Sequence, residues 1–342
     1  VSLSPNIVLT NAGKALVYGK RPQEVFLRQL LKFQLPSPYH RESAEIKGTF
    51  FVRPYLEVLR LIFDLEYLTF DELKIFAVQI TNYHNYENIK EKIVKFRQEV
   101  KSHQGQYKQF TNDIWIKAIL EIHSDRVSEG RTKTRESEDD SIAAFIKTQK
   151  SNMRDYADAC FRYLRFTEMV SIAHKSRTIS ICTGKEADVE FILKNVDRSP
   201  VFVDDEGEYK RYLFNANIPS LYADNVENLT DVILRTGEVT KREIATLDVD
   251  ALKDLRDSIF AKKRETVISN QIDKLKTYSL YSDIIDTFND IISDEFYDAP
   301  LMFEYNTWRA LTMLDGGNIK GNFKFDDAGF PLSTAPGNVP DI

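Results

Sequence analysis

The stretch 152–182 constrains the fold of this chain more than any other. Residues 152–167 read as a helix with Tyr156, Ala159, Cys160 and Tyr163/Leu164 on one side. Directly after it, Met169–Ala173 and Thr178–Cys182 alternate as two short strands around His174-Lys175-Ser176-Arg177. Upstream, residues 54–66 carry apolar side chains at helical spacing, and Thr69 with Glu72 forms a capping box for a helix over 70–80. A polar helix over 86–103 and another over 112–123 follow, then a run without periodicity at 128–140, read as a mobile loop. Helix, helix, insert, helix and hairpin is the order of a winged helix-turn-helix. In that architecture the last helix enters the major groove and the hairpin lies along the DNA backbone. The same topology serves protein-interaction modules, so the order alone leaves both uses open.

Charge narrows the choice of partner. The chain of 342 residues has a formal net charge of −6, an average that conceals a split. Residues 1–200 hold 31 Lys and Arg against 26 Asp and Glu, and 201–342 hold 15 against 26. The most basic part is 141–182, with Lys147, Lys150, Arg154, Arg162, Arg165, Lys175 and Arg177 against Asp155, Asp158 and Glu168. Such a face binds a polyanion or is merely solvated. No run approaches the ~18 apolar residues of a membrane span, and no secretory signal opens the chain. Two cysteines, Cys160 and Cys182, make neither a disulfide framework nor a structural zinc site, which fits a reducing cytoplasm. His40, His84, His103, His123 and His174 are far apart in sequence and read as surface or packing residues. No phosphate-binding glycine loop and no Gly-x-Ser-x-Gly elbow is present, which disposes of nucleotide-binding and hydrolase-elbow readings.

Elsewhere, Ile7–Leu9 reads as a strand, followed by a helix opening at Thr10/Asn11 and a second one after Arg21-Pro22. The strand and first helix resemble the tail of another winged unit. Residues 183–240 read as mixed and acidic, with a turn at Asp204-Asp205-Glu206-Gly207, and 241–294 as helical. A helix over 301–314 leads to a β-type run at Asn322–Phe325, a turn at Asp326–Gly329, and Pro340-Asp341. Both ends look cut through structured material, so the chain is expected to be a fragment.

Two groups of residues could carry chemistry. Arg154, Arg162 and Arg165 share a helix face and suit phosphates or the O6/N7 edge of guanine. Lys147, Lys150, Ser151 and Asn152 would precede that helix's N-terminus, where amide groups favour phosphate. Lys175 and Arg177 would touch the DNA backbone from the wing. In the tail, Pro340-Asp341 has the form of the first carboxylate of a PD…(D/E)xK nuclease core, and Glu304 that of an upstream helical acid. Such a core holds Mg²⁺ with two or three carboxylates and sets a lysine near the attacking water. A Pro-Asp pair carries nothing by itself.

Longer stretches support it. They are Leu9-Thr10-Asn11-Ala12-Gly13-Lys14, Arg21 to Gln34, Met153 to Ala159 with Arg162 to Thr167, Phe303-Glu304, and Ala335 to Asp341. On these the chain resembles the AlwI/BstNBI family of type IIS restriction and nicking endonucleases. The resemblance implies recognition of a short asymmetric site in double-stranded DNA by winged-helix-like subdomains, a helical linker, and a Mg²⁺-dependent nuclease domain cutting outside the site. It implies Asp341 and Glu304 as catalytic metal ligands, while Lys147, Lys150, Asn152, Arg154, Arg162, Arg165, Lys175 and Arg177 stay the DNA contacts expected from the basic helix and hairpin pattern. The expected fold is mainly α with small β-hairpins and the start of a truncated PD-(D/E)xK α/β core. Its expected parts are 1–36 (end of a first recognition subdomain), 37–200 (winged-helix-like recognition), 201–298 (helical linker) and 299–342 (start of the nuclease domain). About eighty residues would precede Val1, and the rest of the nuclease core would follow Ile342. On that reading the intact enzyme cuts DNA, with a second nuclease subunit or a homodimer formed through the missing domain, while this fragment binds and does not cut. A winged-helix transcription regulator with an acidic helical effector region is the rival reading, and a helical interaction scaffold the next.

Overall fold

The computed structural model describes residues 8–40, 48–326 and 329–333. These divide into two compact units, one within Val1–Ser171 and Thr178–Pro219, the other within Ile172–Arg177 and Ser220–Ile342. The expectation of a mainly helical chain with small antiparallel sheets holds. No helix among the described residues is long and apolar enough to cross a membrane.

In the first unit, α1 (Asn11–Tyr18) opens on Thr10, whose hydroxyl accepts from the Gly13 amide at 3.0 Å. Val8 and Leu9, the described part of the expected first strand, are not in a strand; Asn6 and Ile7 lie outside the described residues. Helix α2 (Pro22–Lys32) follows, with Pro22 at its first position, where a missing amide hydrogen costs nothing. Helix α3 (Pro54–Leu65) fills the core with Leu56, Val58, Leu59, Leu61 and Ile62. A short strand, β1 (Tyr67–Thr69), leads straight into α4 (Phe70–Ile75). There the expected capping box forms: Glu72 N donates to Thr69 Oγ1 and Thr69 N to the Glu72 carboxylate.

Helices α5 (Tyr86–Ser102), α6 (Tyr107–Ile122) and α7 (Ser124–Ser128) make the insert. Helix α8 (Ile142–Phe166) comes next, then β2 (Val170–Ala173) and β3 (Thr178–Ile181). The three strands form one sheet in the order β1-β3-β2, with β1 antiparallel to β3. Register puts Leu68 opposite Ile179, both fully buried. A slip of one residue would turn that pair out of the core.

Helix α8 corrects two expectations. It begins ten residues before position 152, at Ile142, where Ser141 Oγ accepts from the Ala144 amide at 3.2 Å and Phe145 is fully buried. Lys147, Lys150, Ser151 and Asn152 therefore lie in the helix body, with no free N-terminal amides to offer a phosphate. The packed stripe is Met153, Ala157, Phe161 and Leu164, while Tyr156 is 65% exposed and Tyr163 44%.

Residues 183–240 are helical, not mixed: α9 (Glu186–Asn195), α10 (Glu206–Phe214) and, in the second unit, α11 (Val226–Arg235). The expected turn at Asp204–Gly207 runs directly into α10: Asp205 N donates to Phe202 O at 3.2 Å, and Asp205 Oδ1 then caps the helix by accepting from the Glu208 amide at 3.0 Å. The rest of the second unit comprises α12 (Lys241–Ile244), α13 (Val249–Lys276), α14 (Tyr281–Ile292), α15 (Ala299–Leu314) and a hairpin of β4 (Lys324–Phe325) with β5 (Pro331–Ser333). Leu229, Ile233, Ile244, Leu252 and Ile259 form one core. Phe296, Met302, Tyr305 and Trp308, with Phe323 and Phe325 against them, form another.

Candidate nucleic-acid interface

The 25 residues of α8 are fixed along one side by ring contacts and burial. Phe161 meets Phe70 edge-on at 5.3 Å, Phe26 of α2 meets both Tyr163 and Phe166, and Tyr55 lies against Tyr163. Cys160 faces this packing, and burial pushes its thiol up to about 12, so it is no nucleophile. The helix is thus anchored by its apolar stripe, and its opposite face is left to solvent.

That face holds most of the expected DNA contacts. At about 3.6 residues per turn, Lys147, Arg154 and Arg165 recur at near-whole numbers of turns along one edge. Lys147 and Arg154 are exposed and have no ion-pair partner among the described residues. Arg162, exposed, pairs with Asp158 one turn back. Arg165 and Asn152 are half-buried. Lys150 is turned inward instead. Its ammonium donates to Asn112 Oδ1 and lies 4.9 Å from the Trp115 ring centre, over which Lys74 also sits at 4.5 Å. Burial, and then the charge of Lys74, lower its pKa.

The hairpin turn groups with the second unit. Within that unit Lys175 pairs with Asp290 at 2.7 Å and Arg177 with Asp294 at 3.4 Å, and Tyr297 N donates to His174 O at 2.9 Å. Both basic side chains of the turn are therefore held by carboxylates of α14 and its C-terminal turn.

The two expected catalytic carboxylates stand differently. Glu304 is half-buried in α15, and Asp341 lies outside the described residues. Among the described residues no group of three or more His, Cys, Asp or Glu comes together as a metal cage. Glu304 offers a hard oxygen donor, the type Mg²⁺ takes.

Three features of this surface escape sequence reading. Tyr156 stands exposed among the charges of α8; Asp155 faces solvent beside it; and the two lysines on Trp115 come from α4 and α8, far apart in the chain. Only contacts made by folding distinguish such residues from their neighbours.

A comparison with curated proteins returns no match. The family model of the AlwI restriction endonuclease matches residues 2–342, essentially the full length over which the helices, the sheet and the basic face have been described. On that match the chain belongs to the AlwI restriction endonuclease family.

Proposed function

We propose that this chain carries the sequence-recognising part of a type IIS restriction endonuclease, with α8 as the helix that enters the major groove. A restriction endonuclease acts on DNA, and the observation that carries the finer reading is the element order α3-β1-α4-insert-α8-β2-β3 with sheet order β1-β3-β2. That is the order of a winged helix, in which the helix before the hairpin reads the groove. On α8 the solvent face carries Lys147, Arg154 and Arg162, with the half-buried Arg165 and Asn152 flanking it. Arg162 and Arg165, one turn apart, are the candidates for guanine edges, and Lys147 and Arg154 for phosphates. Lys175 and Arg177 contact the backbone by exchanging the carboxylates of Asp290 and Asp294 for phosphates. Lys150, held on Trp115, orders the helix against the insert and contributes long-range positive charge.

Glu304 and Asp341 belong to the Mg²⁺-binding set of the nuclease part. These carboxylates would hold the ion, and bound there it would supply activation of the attacking water and offset charge on the phosphate. A second nuclease subunit or a homodimer would cut the other strand.

The test is a random-site selection followed by fluorescence anisotropy. A short, non-palindromic site is expected, and Arg162→Ala with Arg165→Ala should abolish preference for it while leaving weak general binding. Unchanged affinity of that variant for the selected site would remove α8 from the interface. A palindrome of two half-sites would point to a dimeric regulator instead.

A further inference from the structure

One exposed residue of α8 is an acid. Asp155 stands two positions from Met153 and two from Ala157, both buried. Two residues are roughly 200° of helix rotation, so Asp155 points almost directly away from the packed stripe. It is exposed and has no hydrogen-bond or ion-pair partner among the described residues. Its neighbours one turn away are Ser151, Asn152, Asp158 and Ala159, none of them a cation. Asp158 differs, because it is paired with Arg162 at i+4. Asp155 is therefore not part of a surface ion-pair ladder.

An unpaired carboxylate at the crest of a helix that also carries Lys147, Arg154, Arg162 and Arg165 is costly on any phosphate-facing surface. It becomes favourable only against a hydrogen-bond donor. In the major groove the donors are the exocyclic amino groups of cytosine (N4) and adenine (N6). Adenine sets its N7 acceptor beside the amino group, which repels the second carboxylate oxygen, whereas cytosine sets a C–H there. Resting on the reading of α8 as the groove helix, we propose that Asp155 is a specificity-determining residue that accepts a hydrogen bond from N4 of a cytosine in the recognised site. Arg154 and Lys147 hold the backbone on one flank of it, and Tyr156, exposed next to it, supplies an apolar wall at the base edge.

The experiment is site selection with the full chain and with Asp155→Ala and Asp155→Asn, the exposed position keeping both variants folded as judged by circular dichroism. The parent should prefer cytosine at one position by at least roughly fivefold. Asp155→Ala should lose that preference and no other. Asp155→Asn should move it toward adenine, whose N6 and N7 an amide matches in pairs. If both variants keep every base preference and only gain affinity for all sequences, Asp155 is a repelled surface charge and the inference falls while the DNA-binding reading stands. If the parent itself selects no sequence, the reading of α8 as the recognition helix falls, and this inference with it.

Discussion

Replacing Lys32 by Met should unfold the first unit well before the parent does. Lys32 is completely buried, and its ammonium donates to Tyr212 O at 3.2 Å, Leu213 O at 3.1 Å and Asn215 O at 2.7 Å. These carbonyls close the C-terminal turn of α10, which has no later turn to supply donors. The ammonium also lies 5.6 Å from the Tyr212 ring centre. Methionine keeps the length and removes every donor. Leu213 O retains Gln29 Nε2 at 3.2 Å, so two carbonyls are left bare. Each unsatisfied buried group costs about 1–3 kcal/mol. Relief from burying a charge offsets part of this, for a net loss of about 3 kcal/mol. In a unit of this size that lowers Tm by roughly 6–12 °C, measurable by circular dichroism or calorimetry.

A second readout comes from pH. Burial, and then the nearby Arg28, lower Lys32 from 10.5 to about 8. The folded value lies below the unfolded one, so between those limits the unfolded chain binds more protons, and stability rises with pH. The penalty from this group is complete below pH 8 and gone near 10.5. The stability gap between parent and Lys32→Met should therefore widen from pH 8 to 10.5, with other alkaline effects cancelling in the difference. A loss under about 1 kcal/mol at pH 7, or a gap that narrows over that range, would refute the reasoning.

Arg198→Met should cost about 3–5 kcal/mol in urea unfolding, because it strands the wholly buried Glu57 carboxylate that Arg198 holds through two bonds of 2.9 and 2.6 Å; adding Glu57→Leu should recover part of the loss, and strict additivity of the two changes would show that the pair is not coupled. Lys147→Ala with Arg154→Ala should weaken DNA binding by a similar factor on every sequence and flatten the plot of log affinity against log salt by about 2 in slope; an unchanged slope would place neither side chain on a phosphate.

What could be read in the sequence was what the chain specifies locally. Thr69 and Glu72 announce their capping box within four residues, and Leu56, Leu59 and Ile62 announce α3 by spacing alone. The alternation on either side of His174–Arg177 likewise marks the hairpin. What escaped depends on distant partners. Strand β1 has only three residues, and its register with Thr178–Ser180 exists only once the insert has been bridged. The start of α8 was hidden because the polar stretch before Ser141 carries no period and Phe145 is its sole fully buried anchor there. Aromatic residues on both sides of α8 make Tyr156 and Phe161 look alike in sequence, yet one is solvent-exposed and the other fully buried.

The same distinction decides what the positive charge of the first 200 residues is for. Lys32 and Arg53 are buried and donate to backbone carbonyls, and Arg28 donates to Pro219 O. Arg97 is bidentate on Glu72 and lies 4.2 Å from the Tyr67 ring centre, Arg198 is bidentate on Glu57, and Lys90 is paired with Asp64. Apart from Lys90, whose pair with Asp64 is a surface contact, these cations hold helix ends and buried carboxylates, and a polyanion that recruited them would have to break the core. A count of basic residues therefore overstates the charge available to DNA. Lys147 and Arg154, exposed and unpaired on α8, remain available, with Arg162 reachable by displacing only the exposed contact to Asp158. On the proposed reading the interface is set by where the packed stripe of α8 leaves a free face, and the net charge of the half-chain follows mostly from how its core is tied together.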